Sequence, residues 1–425
     1  MIYKGIDLSK LKNNEALFFI RIKGKKSYFK HVYSKKFINL FESIDHYACI
    51  SEYKKDSDVH IDLSLIDRDY LFKEEYDELC NLTSIESVIK RCRGLRAIPY
   101  TESLKLVYKA YLFFSKFFSI NNEIKLIVTG AIDNYIMDLM VCVGEKYGVK
   151  FLGVTDSFMS PEYKLITVRG ELNEVSASNK ESIDSFQKKI INNINSCYVP
   201  KKSQIFYRSI YSFLSYYYRY LIRYVLKYKM LGRLEFDYRF SPYLKGFYSF
   251  SQIFSLRYLS SNLGDLGKSK KPVAYIPLHW YPEATTDYWI DSMYHVEYFS
   301  SVINTIKNLQ KLGYKVCAKE HPHYYLNRES FFYKHLRENN CLVFSPFVCT
   351  KKIFDKVDLV VVWNGSTGIE SLLYGNKTVK VANSYYGDRI ITNLQDITDN
   401  NKILDGLTIS QKSIEKVLKS SFRTF

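Results

Sequence analysis

Short apolar runs and stretches of helical periodicity alternate along this chain, most cleanly in its second half. Five strand-like runs recur there: VAYIPL (273–278), KVCAKE (315–320), CLVFS (341–345), DLVVVW (358–363) and TVKVA (378–382). Between them the apolar spacing predicts helices over 292–312, 328–338, 350–356 and 366–374. Runs that are apolar throughout, each followed by a helix, describe a parallel sheet covered on both faces. Such a sheet binds ligands at the carboxyl ends of its strands.

The first half carries the same alternation with weaker punctuation. ALFFIRI (16–22), ACIS (48–51), IKLIVTG (124–130) and KFLGVTD (150–156) read as buried strands, and 103–118 and 133–148 read as helices. IVTG, its helix and KFLGV make one βαβ unit, so this half is also α/β. The chain's 425 residues exceed what one core usually serves. Two Rossmann-like domains follow, over 1–200 and 271–425, with a ligand expected in a cleft between them.

Residues 201–270 break the pattern. A net charge of +17 runs through the whole sequence, yet between Lys201 and Lys271 fourteen Lys and Arg stand against three acids. On a helix Arg208, Arg219, Arg223 and Lys227 fall within an arc of about 100°, and the other faces are Tyr, Phe, Ile and Leu. A basic stripe beside aromatic bulk suits a helix lying on an anionic membrane surface. An interdomain helix with a solvated basic face fits the same residues, and both readings stay open. No nucleic-acid recognition motif accompanies the charge, which argues against a nucleic-acid partner.

Other compositional signals narrow the class. A hydrophobic fraction of 47% and a charged fraction of 25% are those of a folded soluble protein. The eight cysteines lack CxxC spacing, so reduced thiols are expected, with neither a disulfide framework nor a zinc site. No secretory leader and no run of about 18 apolar residues is legible. The expectation is a cytoplasmic protein, peripheral on the inner face of the membrane if the basic segment binds lipid.

Three loops at the carboxyl ends of the second set of strands could carry chemistry. Lys319-Glu320-His321-Pro322-His323 follows KVCA, where the proline ends the strand and leaves His321 at a fixed place on the rim. An ammonium and an imidazole there suit a phosphate and the charge on a departing nucleotide. Asn364-Gly365-Ser366-Thr367-Gly368-Ile369-Glu370 follows DLVVVW and opens a helix, offering backbone N–H groups, two hydroxyls and the positive end of the helix dipole. Glu370 is placed to accept hydrogen bonds from ribose hydroxyls. His279 lies in the third loop, LHWYPEATTD, which reads equally as a cleft wall or as a structural loop. In the first half Asp156 ends KFLGVTD, where a carboxylate could take a proton from an acceptor hydroxyl. Asp133 reads as an acid at a helix start. No third ligand has suggestive spacing beside His321 and His323, so no metal site is expected.

These residues resemble the bacterial capsular polysaccharide biosynthesis family, which includes Kdo transferases, and more distantly the bacterial sialyltransferases of the GT-B fold. The resemblance is carried by LHWYPEATTD, by KEHP, by STGIESLLYGNKTV and by GVKFLGVTDSF. It implies a GT-B-like α/β fold whose two Rossmann-like domains face a central cleft. It also implies Asp156 as the catalytic Asp of an acidic turn, and His321 with Pro322 as a motif touching the nucleotide monophosphate. Ser366 and Thr367 match a phosphate-binding helix start, with Gly365 and Gly368 beside them. Thr155 and Ser157 depart from the flanking Glu and Gly of that acidic turn, and Tyr386-Gly387-Asp388 is a reduced form of the family's ending.

The function so implied is a glycosyltransferase working without a bound metal or permanent cofactor. A nucleotide sugar, by resemblance a CMP-sugar such as CMP-Kdo or CMP-sialic acid, would give its sugar to a capsule, O-antigen or related surface glycan on a lipid-linked or polysaccharide acceptor. Other surface-glycan assembly enzymes are further partners of that reading. Three rivals stand beside it: a polyol-phosphate transferase with a CDP-linked donor, a sugar-nucleotide epimerase, and a non-catalytic polysaccharide assembly protein.

Overall fold

The computed structural model describes residues 2–3, 6–7, 15–20, 48–51, 54–130, 132–156, 163–166, 168, helical positions between 185 and 218, 250–267, 270–281, 283–290, 293–324 and 328–381. These residues divide into two compact units. The first is built on residues up to Asp156 together with Tyr163–Ile166; the second takes the helical positions between 185 and 218 and everything from Phe250 onward.

Besides a short antiparallel pair, Ile2–Tyr3 with Ile6–Asp7, the first unit forms a six-stranded sheet. In chain order its strands are β1 (Ala16–Phe19), β2 (Ala48–Ser51), β3 (Val59–His60), β4 (Leu126–Thr129), β5 (Lys150–Asp156) and β6 (Tyr163–Ile166), arranged β3-β2-β1-β4-β5-β6. All neighbours are parallel except β5 and β6, which pair antiparallel at one edge. Helices α1 (Lys73–Leu82), α2 (Ile85–Arg91), α3 (Tyr100–Ile120) and α4 (Tyr135–Lys146) fill the connections. The buried residues of α3 (Val107, Ala110, Tyr111, Phe114 and Phe118) recur at helical spacing, so one stripe of the helix faces the core.

The second unit is a five-stranded, wholly parallel sheet: β7 (Val273–Pro277), β8 (Lys315–Lys319), β9 (Leu342–Phe344), β10 (Leu359–Val362) and β11 (Lys377–Lys380), in the order β9-β8-β7-β10-β11. Helices α5 (Tyr298–Lys311), α6 (Ser330–Glu338), α7 (Thr350–Phe354) and α8 (Thr367–Tyr374) lie between successive strands. The alternation of side chains along each strand feeds two cores. Ala274, Ile276, Val316, Ala318 and Val361 enter one, with α5 and α6. Val273, Tyr275, Cys317, Val360 and Val362 enter the other, with α7.

Both units are therefore α/β and Rossmann-like, each with the strand order 3-2-1-4-5 and the reversal of winding between its first and fourth strands. Helix α8 stops at Gly375, which takes φ 93°, a left-handed conformation that lets Asn376 N–H bond Ser371 O and turns the chain into β11.

The helix expected over 292–312 is broken. A short turn, Met293–Val296, precedes α5, and His295 Nδ1 lies 2.9 Å from Ser301 Oγ across the break. Arg328, expected inside a helix, precedes α6 and is fully buried. Asp133 is not the helix acid expected of it: Asn134 caps α4 by accepting from Met137 N–H at 2.9 Å, and Asp138 occupies the first turn. Asp133 is itself buried, and its carbonyl lies 3.4 Å from Arg93 Nη2. Six cysteines are free thiols as expected, but Cys349 is disulfide-bonded. Among the described residues no helix is long and apolar enough to cross a membrane.

Candidate functional site

Three loops leave the carboxyl ends of β7, β8 and β10, and a buried ion pair ties two of them together. The Glu320 carboxylate, following β8, receives Arg328 Nε at 2.6 Å and Nη2 at 3.1 Å, and Tyr333 donates its hydroxyl to it. The charged ends of both Glu320 and Arg328 are cut off from solvent. Arg328 Nη2 also donates to the His279 carbonyl at 2.5 Å, and Glu320 Oε1 accepts the His321 N–H at 2.6 Å. One ion pair thus fixes the loops that follow β7 and β8. Burial alone opposes the Arg328 charge, yet Glu320 holds its pKa above the ordinary value. The Arg328 guanidinium also packs over the Tyr324 ring, 4.7 Å from its centroid.

His279 is turned into the protein. Its N–H donates to Tyr298 Oη at 2.7 Å, and its Nε2 accepts the Asn364 N–H at 3.1 Å. An acceptor Nε2 places the ring proton on Nδ1. Burial, reinforced by the Arg328 charge, lowers the His279 pKa to about 4, so the ring is neutral at pH 7. His279 therefore joins the β7 loop to the β10 loop from inside. Asn364 completes that joint, donating its amide to Thr285 O at 2.9 Å and Trp289 O at 3.1 Å. Gly365 lies flat against the imidazole, where a Cβ would stand 3.1 Å from His279 Cε1.

Beyond Asn364 the start of α8 carries no side-chain cap. Ser366 precedes the helix but does not cap it; its backbone is already helical, and its hydroxyl donates to Glu370 Oε1 at 3.2 Å. In the first turn Gly368 N–H donates to Gly365 O at 3.1 Å and Ile369 N–H to Ser366 O at 3.0 Å, so the donors left over by these bonds are the Ser366 and Thr367 N–H groups. Ser366 and Thr367 are both half-buried, at the edge of the sheet.

Lys319 ends β8 and is buried, using one of its three N–H donors on Thr350 Oγ1 at 2.7 Å, at the start of α7. Burial lowers its pKa to about 8, against the pull of the Glu370 charge. Burial raises the Glu370 pKa in turn, against the Ser366 hydrogen bond and the Lys319 charge. A desolvated cation and a desolvated carboxylate thus share one field at this edge, an arrangement typical of sites that bind or move charge.

The remaining expectations fall as follows. His321 is half-exposed on the rim, its ring 6.0 Å from that of Trp280, and Pro322 begins a short 3₁₀ turn. His335 pairs with Glu338 on an exposed helix face and His295 is internal, so the histidine cluster of the sequence resolves to His279 and His321 at the site. Asp156 is the last residue of β5; its side chain, like that of His323, lies outside the described residues. Arg208, Arg219, Arg223, Lys227 and the stretch Tyr386-Gly387-Asp388 also lie outside them. Among the described residues no group of three His, Cys, Asp or Glu is placed to hold a metal ion.

Sequence reasoning gave no role to Arg328, Tyr333, Thr350 or Asn364. Asn364 alone left a signal, as an amide directly after the fourth strand, where two loops must be joined.

No protein-family model matches the chain, and no curated protein matches it in sequence. Among solved structures it overlaps the beta-Kdo 2,7 transferase KpsC of Thermosulfurimonas dismutans at 9% identity, covering 93% of this chain and 89% of that one with a TM-score of 0.33. It overlaps a glycosyltransferase from Rickettsia africae at 9% identity, covering 97% and 93%, TM-score 0.25. It also overlaps the UDP-GlcNAc 2-epimerase of Methanocaldococcus jannaschii at 9% identity, covering 96% and 97%, TM-score 0.27. Similarity at this level assigns no activity.

Proposed function

We propose that the second unit binds a nucleotide-activated sugar by its phosphate and that the protein is a glycosyltransferase of surface polysaccharide. The observation that carries this reading is the uncapped start of α8 at the switch point of a parallel sheet, with Lys319 and Glu370 desolvated beside it. The Ser366 and Thr367 N–H groups, a helix dipole and an ammonium would together stabilise a phosphate in place and the charge that grows on it as a glycosidic bond breaks. His321 on the rim donates to the same group. The resemblance in KEHP and STGIESLLYGNKTV adds the CMP-linked donor, and that in GVKFLGVTDSF adds Asp156 as the acceptor's base, with no metal needed.

A thermal-shift panel of CMP, CDP, UDP and GDP tests the donor, because a ligand that binds only the folded state raises the melting temperature. CMP is expected to give the largest shift. His321→Ala and Ser366→Ala should lose it, whereas Asp156→Asn should keep it and lose turnover. Equal shifts from all four nucleotides, or from all three variants, would sink the assignment.

The membrane reading has its own observation. Phe206, Tyr207, Ile210, Tyr211, Leu214 and Tyr218 are exposed, and at 100° per residue all six fall on one side of a helix. Aromatic and aliphatic groups on one side, beside the basic stripe of the sequence, suit the headgroup layer of an anionic bilayer at the cytoplasmic face. Glu at Arg219, Arg223 and Lys227 should release the protein from phosphatidylglycerol vesicles in flotation. Unchanged flotation would leave the segment an interdomain helix.

A further inference from the structure

We propose that Thr350 is a positioning residue of the phosphate site: its hydroxyl holds the Lys319 ammonium in place and keeps it charged for the anion. The inference rests on the phosphate-site reading above and adds a residue from a third loop, the one that follows β9. The contact that carries it is the hydrogen bond from Lys319 Nζ to Thr350 Oγ1, 2.7 Å long between residues 31 apart in the chain.

The fold puts the lysine where it needs such a partner. Lys319 pairs with Pro277 of β7 on one side and Phe344 of β9 on the other, so its backbone is fixed inside the sheet. Along β8 it shares a face with Cys317, whose side chain enters the core that Ile353 and Phe354 of α7 help to close. Its stem therefore runs along a covered face, and the residue is 8% exposed. A buried ammonium is costly unless hydrogen bonds replace its hydration, and Thr350 Oγ1 supplies one. The hydroxyl is not spent on capping α7, whose N-cap position is Cys349.

The surrounding charges leave this bond a decisive part. On α7, Lys351 is half-buried and Lys352 exposed, and His321 is half-exposed on the rim. In the β7 loop His279 is neutral, and Glu320 is engaged by Arg328 and Tyr333. Glu370 of α8 acts on Lys319 and favours the ammonium, yet burial outweighs it and brings the pKa from an ordinary 10.5 to about 8. A bond to the charged form opposes that fall, so its loss lowers the pKa further. The phosphate then loses its counter-charge at neutral pH while the start of α8 is unchanged.

Thr350→Val deletes the hydroxyl and keeps the shape. An NMR titration of the full chain carrying isotope-labelled lysine, with Lys319→Met to identify the signal, reads the ammonium without any ligand. The Lys319 midpoint should fall by about one pH unit in Thr350→Val and return in Thr350→Ser. Calorimetry with CMP and with inorganic phosphate reads the consequence for binding. The ratio of wild-type to Thr350→Val affinity cancels the ligand's own titration; it should stay near one at pH 6 and rise to about tenfold at pH 9. A structural role alone would lower affinity by the same factor at every pH. An unchanged midpoint, or a ratio flat in pH, overturns the proposal and leaves the phosphate site standing. If the midpoint moves but neither probe binds wild type, the phosphate reading falls and the hold of Thr350 on Lys319 stands.

Discussion

The two sheets share one strand order, and the same junction in each, from the fourth strand into its helix, is finished in opposite ways. After β4 the Asn134 side chain turns back onto Met137 N–H and closes the start of α4. After β10 the Ser366 hydroxyl goes forward to Glu370 and leaves the start of α8 to backbone carbonyls alone, with no side-chain cap. The surroundings differ to match. The second junction is held by His279, which takes the Asn364 N–H, and by Asn364, Glu320 and Arg328, which fix the loops beside it. One topology thus provides two edges, and side-chain choice after the fourth strand decides whether the helix start is capped by a side chain.

Removing the internal hold should have the largest effect. Arg328→Leu leaves the Glu320 carboxylate buried without its partner, which costs about 3–5 kcal/mol. Urea denaturation at pH 7 should show that loss, and the double change Arg328→Leu with Glu320→Leu should recover most of it. A single variant as stable as wild type would mean that the second junction needs no such support. The corresponding region of the first unit should be unaffected, which hydrogen exchange at β4 and α4 can follow.

A good part of this was legible beforehand. Strands β1, β2, β4, β5, β7, β8, β9 and β10 lie in largely apolar runs, so period and length identify them, whereas β11, KTVK, is read from the wider run TVKVA. The edge strands β3 and β6 are two and four residues long and carry His60, Tyr163 and Lys164, so no run announced them. Helix α1 escaped for a related reason: of KEEYDELCNL only Leu79 is buried, and its pattern is that of a polar segment. At the site, the residues placed by a strand end and a helix start were found, because those positions follow from the fold. Glu320 and Arg328 were not, since eight residues separate them and each reads singly as a surface charge. That they meet, and meet in the interior, depends on how α6 packs.

Acid should separate the two units next. His279 is held neutral, with a pKa of about 4 against an ordinary 6.5, so the unfolded chain takes up a proton that the folded edge refuses. The stability this contributes is complete above pH 6.5 and is lost as pH falls toward 4, at up to about 1.4 kcal/mol per pH unit. Urea midpoints measured from pH 7 to 4.5 should fall more steeply for wild type than for His279→Gln, and the difference should lie in the second unit. Parallel slopes would place the imidazole in water.

The smallest effect bears most directly on the two junctions. Asn134→Ala removes a helix cap and should cost about 1 kcal/mol of stability, leaving CMP affinity unchanged. Ser366→Ala removes a hydroxyl that caps nothing, so stability should move by no more than about 0.5 kcal/mol, while CMP affinity falls. Denaturation and calorimetry on the same two proteins give a crossed result, one variant weak in folding and the other weak in binding. If Ser366→Ala instead behaves like Asn134→Ala, losing stability and keeping affinity, then the two helix starts are built alike. The difference in side-chain direction would then have no consequence for ligand binding.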